Sequence, residues 1–268
     1  MPASEVAAFD VMAAEYDASF SEGLVGKYQR AQVRRWLSGF LKDKGSLNIL
    51  EINCGTGDDA LWLASLGHQV LATDASGCMI KEAKNKMALM TGALPEFRQC
   101  AFQDLPALLT YGQFDLVFSN FSGLNCIPAG ELESLGRTLD YVVKPGGHIA
   151  AVIFGKYCCW EMLYYGLKFK SSNIFRRWKK KSSVTILKEE VIQPVYYYST
   201  SRFCGLISHF KKIETRPVGL FIPPSYLEGY MQKHRSLFWL LEKLEKKTGG
   251  IAAFSQLADH QYLLLKKE

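Results

Sequence analysis

The chain has 268 residues, enough for one sizeable domain with a large core, and its 48% hydrophobic and 13% aromatic content is that of a globular protein. No apolar run approaches bilayer-spanning length, and the start "MPASEVAAFD" has neither a basic nor an apolar leader region, so a cytoplasmic protein is the default expectation. Seven cysteines, an odd number without C-x-x-C spacing, argue against a disulfide scaffold or structural zinc and predict reduced thiols with no metal site.

The first 44 residues read as helical, with Val25, Tyr28, Val33, Trp36, Leu37 and Phe40 near one face of the second stretch. From Leu47 the period changes to short strands alternating with helices. "NILEIN" is a strand and "DDALWLASLG" a helix closed by Gly67. "QVLATD", "FRQCAF", "FDLVFSN" and, after a "KPGG" turn, "HIAAVIF" supply four more strands, with "CMIKEAKNKM" and "ELESLGRTLDYVV" as helices between them. "KIETRPVGLF" and "DHQYLLLKK" add two strands, separated by an amphipathic helix through Tyr226, Met231, Phe238 and Leu244. The pattern predicts an α/β protein with a doubly wound, mostly parallel sheet covered by helices on both faces. The single domain divides into N-terminal helices (1–44), a core (45–154) and cap insertions at 155–199 and 223–258.

In such sheets ligands bind beyond the carboxyl ends of the strands, which singles out Asn53–Gly57, Asp74, Asp104 and Asn120–Asn125. The turn in "ILEINCGTGDD" has no lysine for a triphosphate site. It also fails G-x-G-x-x-G at Asn53 and Asp58. Asp58 and Asp59 would set two carboxylates where a pyrophosphate must rest, at the start of the next helix. A ligand without phosphate and with positive charge suits the turn better.

These residues resemble the class I S-adenosylmethionine-dependent methyltransferase family. "LEINCGTG" is similar to its first motif, with Glu51 as the acid, Gly55 and Gly57 as the later glycines, and Asn53 replacing the first glycine. Asparagine tolerates left-handed backbone better than other side chains, so the replacement is mild. "AAEYD" (Ala13–Asp17) and "KPGGHIAAVIF" extend the resemblance over roughly residues 10–154. The resemblance implies a Rossmann-like, seven-stranded sheet and S-adenosyl-L-methionine as cofactor. It implies that Asp74 takes the ribose hydroxyls, that Asp104 and the Leu105 backbone take the adenine amino group, and that Met79 covers the adenine. Tyr16 is the expected lid, and Thr56, Ala75, Asn120 and Phe121 complete the expected cofactor site. It also implies an antiparallel last strand, which brings His260 to the ligand end. Asn125, Trp160 and His260 are the candidates for the acceptor side, and no catalytic residue is assigned.

The resemblance implies methyl transfer to a small acceptor. "SNFSGLNC" lacks the N-P-P-[YF] run that holds a planar amino group, which disfavours DNA adenine and protein glutamine as acceptors. An oxidoreductase on the same scaffold, an RNA-directed methyltransferase and a non-catalytic cofactor-binding protein are the alternatives. Residues 156–181 hold eight Lys and Arg against Glu161 alone, an excess larger than the +6 of the whole chain. Interleaved with aromatics, this segment predicts an apolar or lipid-like acceptor and a peripheral contact with anionic membrane through 156–181. The absence of a recognisable RNA-binding module argues against a nucleic-acid partner.

Overall fold

The computed structural model describes residues 8–111, 113–169, 171–178, 183–186 and 191–268, and among these described residues nine strands form. They are β1 (Asn48–Ile52), β2 (Gln69–Asp74), β3 (Glu96–Gln99), β4 (Phe114–Ser119), β5 (Val143–Phe154), β6 (Ser183–Ile186), β7 (Ile192–Val195), β8 (Phe210–Val218) and β9 (His260–Lys267). Seven of them build one sheet in the order β3-β2-β1-β4-β5-β9-β8, and β6 and β7 pair as a separate antiparallel ribbon. The first five are parallel, while β9 runs antiparallel to both β5 and β8. The order reverses between β1 and β4, which opens a crevice at the carboxyl ends of both.

The helices are α1 (Ala13–Tyr16), α2 (Leu24–Leu41), α3 (Asp58–Ser65), α4 (Gly77–Met87), α5 (Ala129–Val142), α6 (Cys159–Leu167), α7 (Ser171–Ile174), α8 (Thr200–Leu206), α9 (Glu228–Lys233) and α10 (Arg235–Thr248). Side-chain alternation along each strand sorts the core into two layers. Ile49 packs with Val33 and Leu37 of α2, Leu63 of α3 and Ile80 of α4. Its neighbour Leu50 faces the other way, with Leu135 and Leu139 of α5 and Phe203 of α8. Among the described residues no helix is long and apolar enough to cross a membrane.

Three local expectations need correction. The amphipathic stretch is not one helix: His234 (φ −119°, ψ 56°) separates α9 from α10, and Ser225–Leu227 forms a 3-10 turn before them. A one-residue break barely disturbs the apolar spacing, and Met231 and Phe238 still bury together with Val25 and Ile222. The "KPGG" turn lies inside β5, where Gly146 (φ 72°) accommodates a register shift against β4. β3 ends at Gln99, and Phe102–Tyr111 winds as 3-10 helix instead of extending the strand.

Candidate functional site

The turn after β1 needs left-handed backbone at Asn53 (φ 50°), Gly55 (φ 55°) and Gly57 (φ 82°). Asparagine adopts this at low cost and here does more than a glycine could. Its Nδ2 donates to the Asn120 carbonyl (3.0 Å), and its Oδ1 accepts from the Ser119 hydroxyl (2.6 Å). The turn is thereby tied to the end of β4 across the crevice. Gly57 serves packing: a Cβ there would lie 2.6 Å from the Phe97 ring and 2.9 Å from Ala83. Asp74, at the end of β2, accepts from the Gly55 amide on one oxygen and the Ser76 amide on the other, both at 2.9 Å. Each oxygen keeps a further lone pair for a ligand.

These elements enclose a cavity of about 440 Å³. Of the residues expected from sequence, Tyr16, Glu51, Asn53, Gly55, Thr56, Asp74, Ala75, Met79, Asn120 and Phe121 line it. Asp104 does not: the 3-10 winding that starts at Phe102 turns it to solvent, and Leu105 goes into the core beside Leu108. Cys100–Gln103 form that wall instead. The sequence reading did not include Phe9, Arg30, Asp59, Ser76, Cys126, Ile127 and Gln193, which also line the cavity. Ser76 carried a signal, since a serine after a strand and before a helical run is a cap, and its Oγ accepts from the Met79 amide at 3.0 Å.

The double aspartate is not an uncompensated negative charge, so its expected opposition to phosphate is overturned. Asp59 is buried, and its two oxygens take Arg30 Nη1 (2.9 Å), Arg34 Nε (2.7 Å) and Asn120 Nδ2 (2.8 Å). Asp58 pairs with Lys86 (2.6 Å) and Arg30 (3.4 Å). Burial alone would raise the Asp58 carboxyl, but Arg30 and Lys86 outweigh it and hold it below its usual value. The cations come from α2 and α4, far from the turn in sequence.

Glu51 is the site's unsatisfied acid. It is 1% exposed, and its Oε2 has no hydrogen-bond partner. Burial first and the Asp59 charge second hold its carboxyl well above the ordinary range, with Arg30 and Arg34 opposing and Asp58 adding to the rise. A group with a raised folded pKa binds more protons folded than unfolded, so stability falls as pH climbs from 4.5 through the folded value. Glu51→Gln, which keeps the shape without the charge, is expected to melt above wild type at pH 7. The difference should shrink toward pH 4. A melting curve lower than wild type at pH 7 would contradict this account of Glu51.

The three acceptor-side candidates sit elsewhere. Asn125 is fully buried, donates to the Tyr196 carbonyl (2.6 Å) and accepts from the Phe154 amide (3.0 Å), so it staples β5 to the chain after β7. Trp160 gives its indole N–H to the Phe221 carbonyl at 2.9 Å. Neither lines the cavity. The last strand does bring His260 toward the ligand end, but as a layer behind the wall. It stacks on Phe154 (4.8 Å) and meets the edge of Phe121 (6.0 Å), with Nδ1 3.3 Å from Asp259 Oδ2. Tyr16, Phe20 and Phe121 continue this aromatic series to the cavity, with ring centroids 5.7 and 4.8 Å apart.

Part of the basic segment lies inside the protein. Arg177 is buried: Nε holds Glu161 Oε2 (2.8 Å), Nη2 holds Asp259 Oδ1 (2.8 Å), and Nη1 donates to the Gly155 and Asp259 carbonyls. Arg176 grips the same Glu161. Lys170 and Lys179–Lys181 lie outside the described residues.

A family profile described as a methyltransferase domain matches residues 49–147, the stretch from β1 into β5. Among curated proteins, the mouse (Mus musculus) glycine N-methyltransferase is 40% identical over 53 residues, which are 20% of this chain and 18% of that enzyme. The match thus spans less than a fifth of the relative's length. Among solved structures, a SAM-dependent methyltransferase from Methanosarcina mazei superposes with a TM-score of 0.58 at 17% identity, covering 87% of this chain and 96% of the other. The magnesium protoporphyrin IX methyltransferase of Synechocystis PCC 6803, with bound SAH, gives 0.56 at 15% identity, covering 91% and 85%. These two likenesses describe the fold, on which the matched sequence falls at the β1 turn, Asp74 and the crevice. Residues 49–147 thus match a methyltransferase domain, carried on a fold similar to that of SAM-dependent methyltransferases.

Proposed function

We propose that the chain binds S-adenosylmethionine in the 440 Å³ cavity and transfers its methyl group to a small, hydrophobic or aromatic, lipid-like acceptor. The observation that carries the cofactor half is the buried, unpartnered Glu51 Oε2 on the wall of a cavity that also presents the Asp74 carboxylate. The donor set fits the cofactor piece by piece. Asp74 offers lone pairs to the ribose diol. Met79, Ala101, Phe102 and Ile127 give the adenine apolar surfaces. Glu51 accepts from the ammonium of the methionine tail, and the Arg30 guanidinium suits its carboxylate. The bound sulfonium supplies an electrophilic methyl and a neutral leaving group. The chain's own residues have to align, enclose and dry the site.

The acceptor half rests on the wall beyond Asn120. Phe9, Tyr16, Phe121 and Cys126 make it largely apolar. Burial pushes the Tyr16 phenol up to about 12, so it stays a neutral donor at physiological pH. Burial likewise takes the Cys126 thiol to about 12, which keeps it a thiol and no competitor for the methyl group. With an aromatic wall and a neutral rim, the preferred acceptor carries a planar or extended apolar body. The test is transfer of labelled methyl from S-adenosylmethionine to a panel of acceptors. Aromatic or lipid-like hydroxyls, acids and amines are expected to be labelled well above small polar ones. Turnover confined to small polar acceptors would overturn the acceptor half and leave the cofactor half standing.

A further inference from the structure

We propose that the outer face of α6, with the turn that follows it, docks on an anionic lipid surface. Leu163 and Leu167 stand one helical turn apart and are 54% and 71% exposed, and Phe169, just beyond, is 95% exposed. Scattered exposed apolar residues are ordinary, but these three follow one another along one side of α6 and into the turn after it. Phe175 and Trp178, both half exposed, are in ring contact at 4.7 Å, and Trp178 meets Tyr157 at 5.1 Å.

Charge identifies the occupant. Glu161 is the sole acid between residues 156 and 181. It is 1% exposed and consumed by Arg176 and Arg177, so it offers nothing to solvent. In sequence, the six lysines of the segment (156, 168, 170 and 179–181) thus have no uncommitted acid to offset them, and of these Lys156 and Lys168 are among the described residues. Lys168 stands between Leu167 and Phe169 in the chain, with Nζ 2.6 Å from the Tyr164 hydroxyl and 4.4 Å from its ring centroid. Exposed apolar side chains in a segment whose uncommitted charges are all lysines match the boundary between acyl chains and anionic headgroups. A second copy of the chain would set the same lysines against each other across a two-fold interface, which like-charge repulsion disfavours.

The inference goes beyond methyl transfer, and its test needs no cofactor. The full chain is floated with phosphatidylcholine vesicles prepared with and without phosphatidylserine. The expected result is binding only where phosphatidylserine is present, with release as salt is raised. The triple substitution Leu163→Glu, Leu167→Glu, Phe169→Glu should abolish binding with an unchanged melting curve. Lys156→Glu and Lys168→Glu should each weaken it at least about fivefold. Failure of the wild-type chain to float with phosphatidylserine vesicles, or equal binding to neutral ones, would overturn the proposal. So would a concentration-dependent dimer that the triple substitution dissolves, since the face would then belong to a second copy.

Discussion

Replacing Arg177 by alanine is expected to cost about 3–5 kcal/mol of folding stability, the scale for removing one partner of a buried ion pair. Its side chain is 5% exposed and lies between Glu161 and Asp259, at 2% and 3%. Without it, Glu161 keeps Arg176, and Asp259 keeps Gln29 Nε2 at 3.2 Å, the Cys158 thiol and His260. Two carbonyls, of Gly155 and Asp259, lose their Arg177 donor as well. Arg177→Lys should recover only part of the loss, because an ammonium cannot make four directed bonds in these positions. Arg177→Glu should be worse than alanine, with three carboxylates in one dry site. Thermal and urea melts measure the series, and a reversal variant as stable as wild type would return Arg177 to the surface.

The same network sets an acid limit. Burial alone would raise Asp259, but His260 and Arg177 outweigh it and hold its carboxyl far below the usual value. A depressed folded pKa contributes stability that is present above the unfolded value, 3.8 for aspartate, and is lost as pH falls toward the folded one. Wild type should thus lose stability on acidification below that point more steeply than Arg177→Ala does.

The second large effect is expected at Asp74. Asp74→Ala removes the acceptors proposed for the ribose diol, a loss of about 2–3 kcal/mol for charge-assisted bonds. That corresponds to a roughly 30- to 160-fold weaker dissociation constant. It also frees the Gly55 and Ser76 amides that the carboxylate now orders, so the β1 turn loses its brace. Asp74→Asn keeps one acceptor oxygen and should fall between alanine and wild type. Unchanged affinity in a folded Asp74→Ala protein would remove Asp74 from the cofactor site.

What the sequence made legible was whatever depends on residues adjacent in the chain. Strand and helix periods gave the sheet, and the position of Asp74 at a strand end followed from them. Asn53 was readable because a left-handed turn residue is a local property. Partners distant in sequence were not readable. Arg177 was counted among the cations of the 156–181 segment because Asp259, 82 positions away, carries no local mark. The Asp59 pair with Arg30 and Arg34 was hidden in the same way, since a helix packed across the turn supplies both cations. Asp104 was misplaced by a different cause: the motif fixes its position in the chain, while the 3-10 winding of residues 102–111 decides which way it points.

Calorimetric titration of the full chain with S-adenosylmethionine, S-adenosylhomocysteine and NAD tests the central claim most directly. The account predicts single-site binding of the first two and none of the third, with binding weakened in Asp74→Ala and in Glu51→Gln. Binding of NAD in preference to either sulfur compound, or no binding of S-adenosylmethionine by the folded wild-type chain, would contradict it.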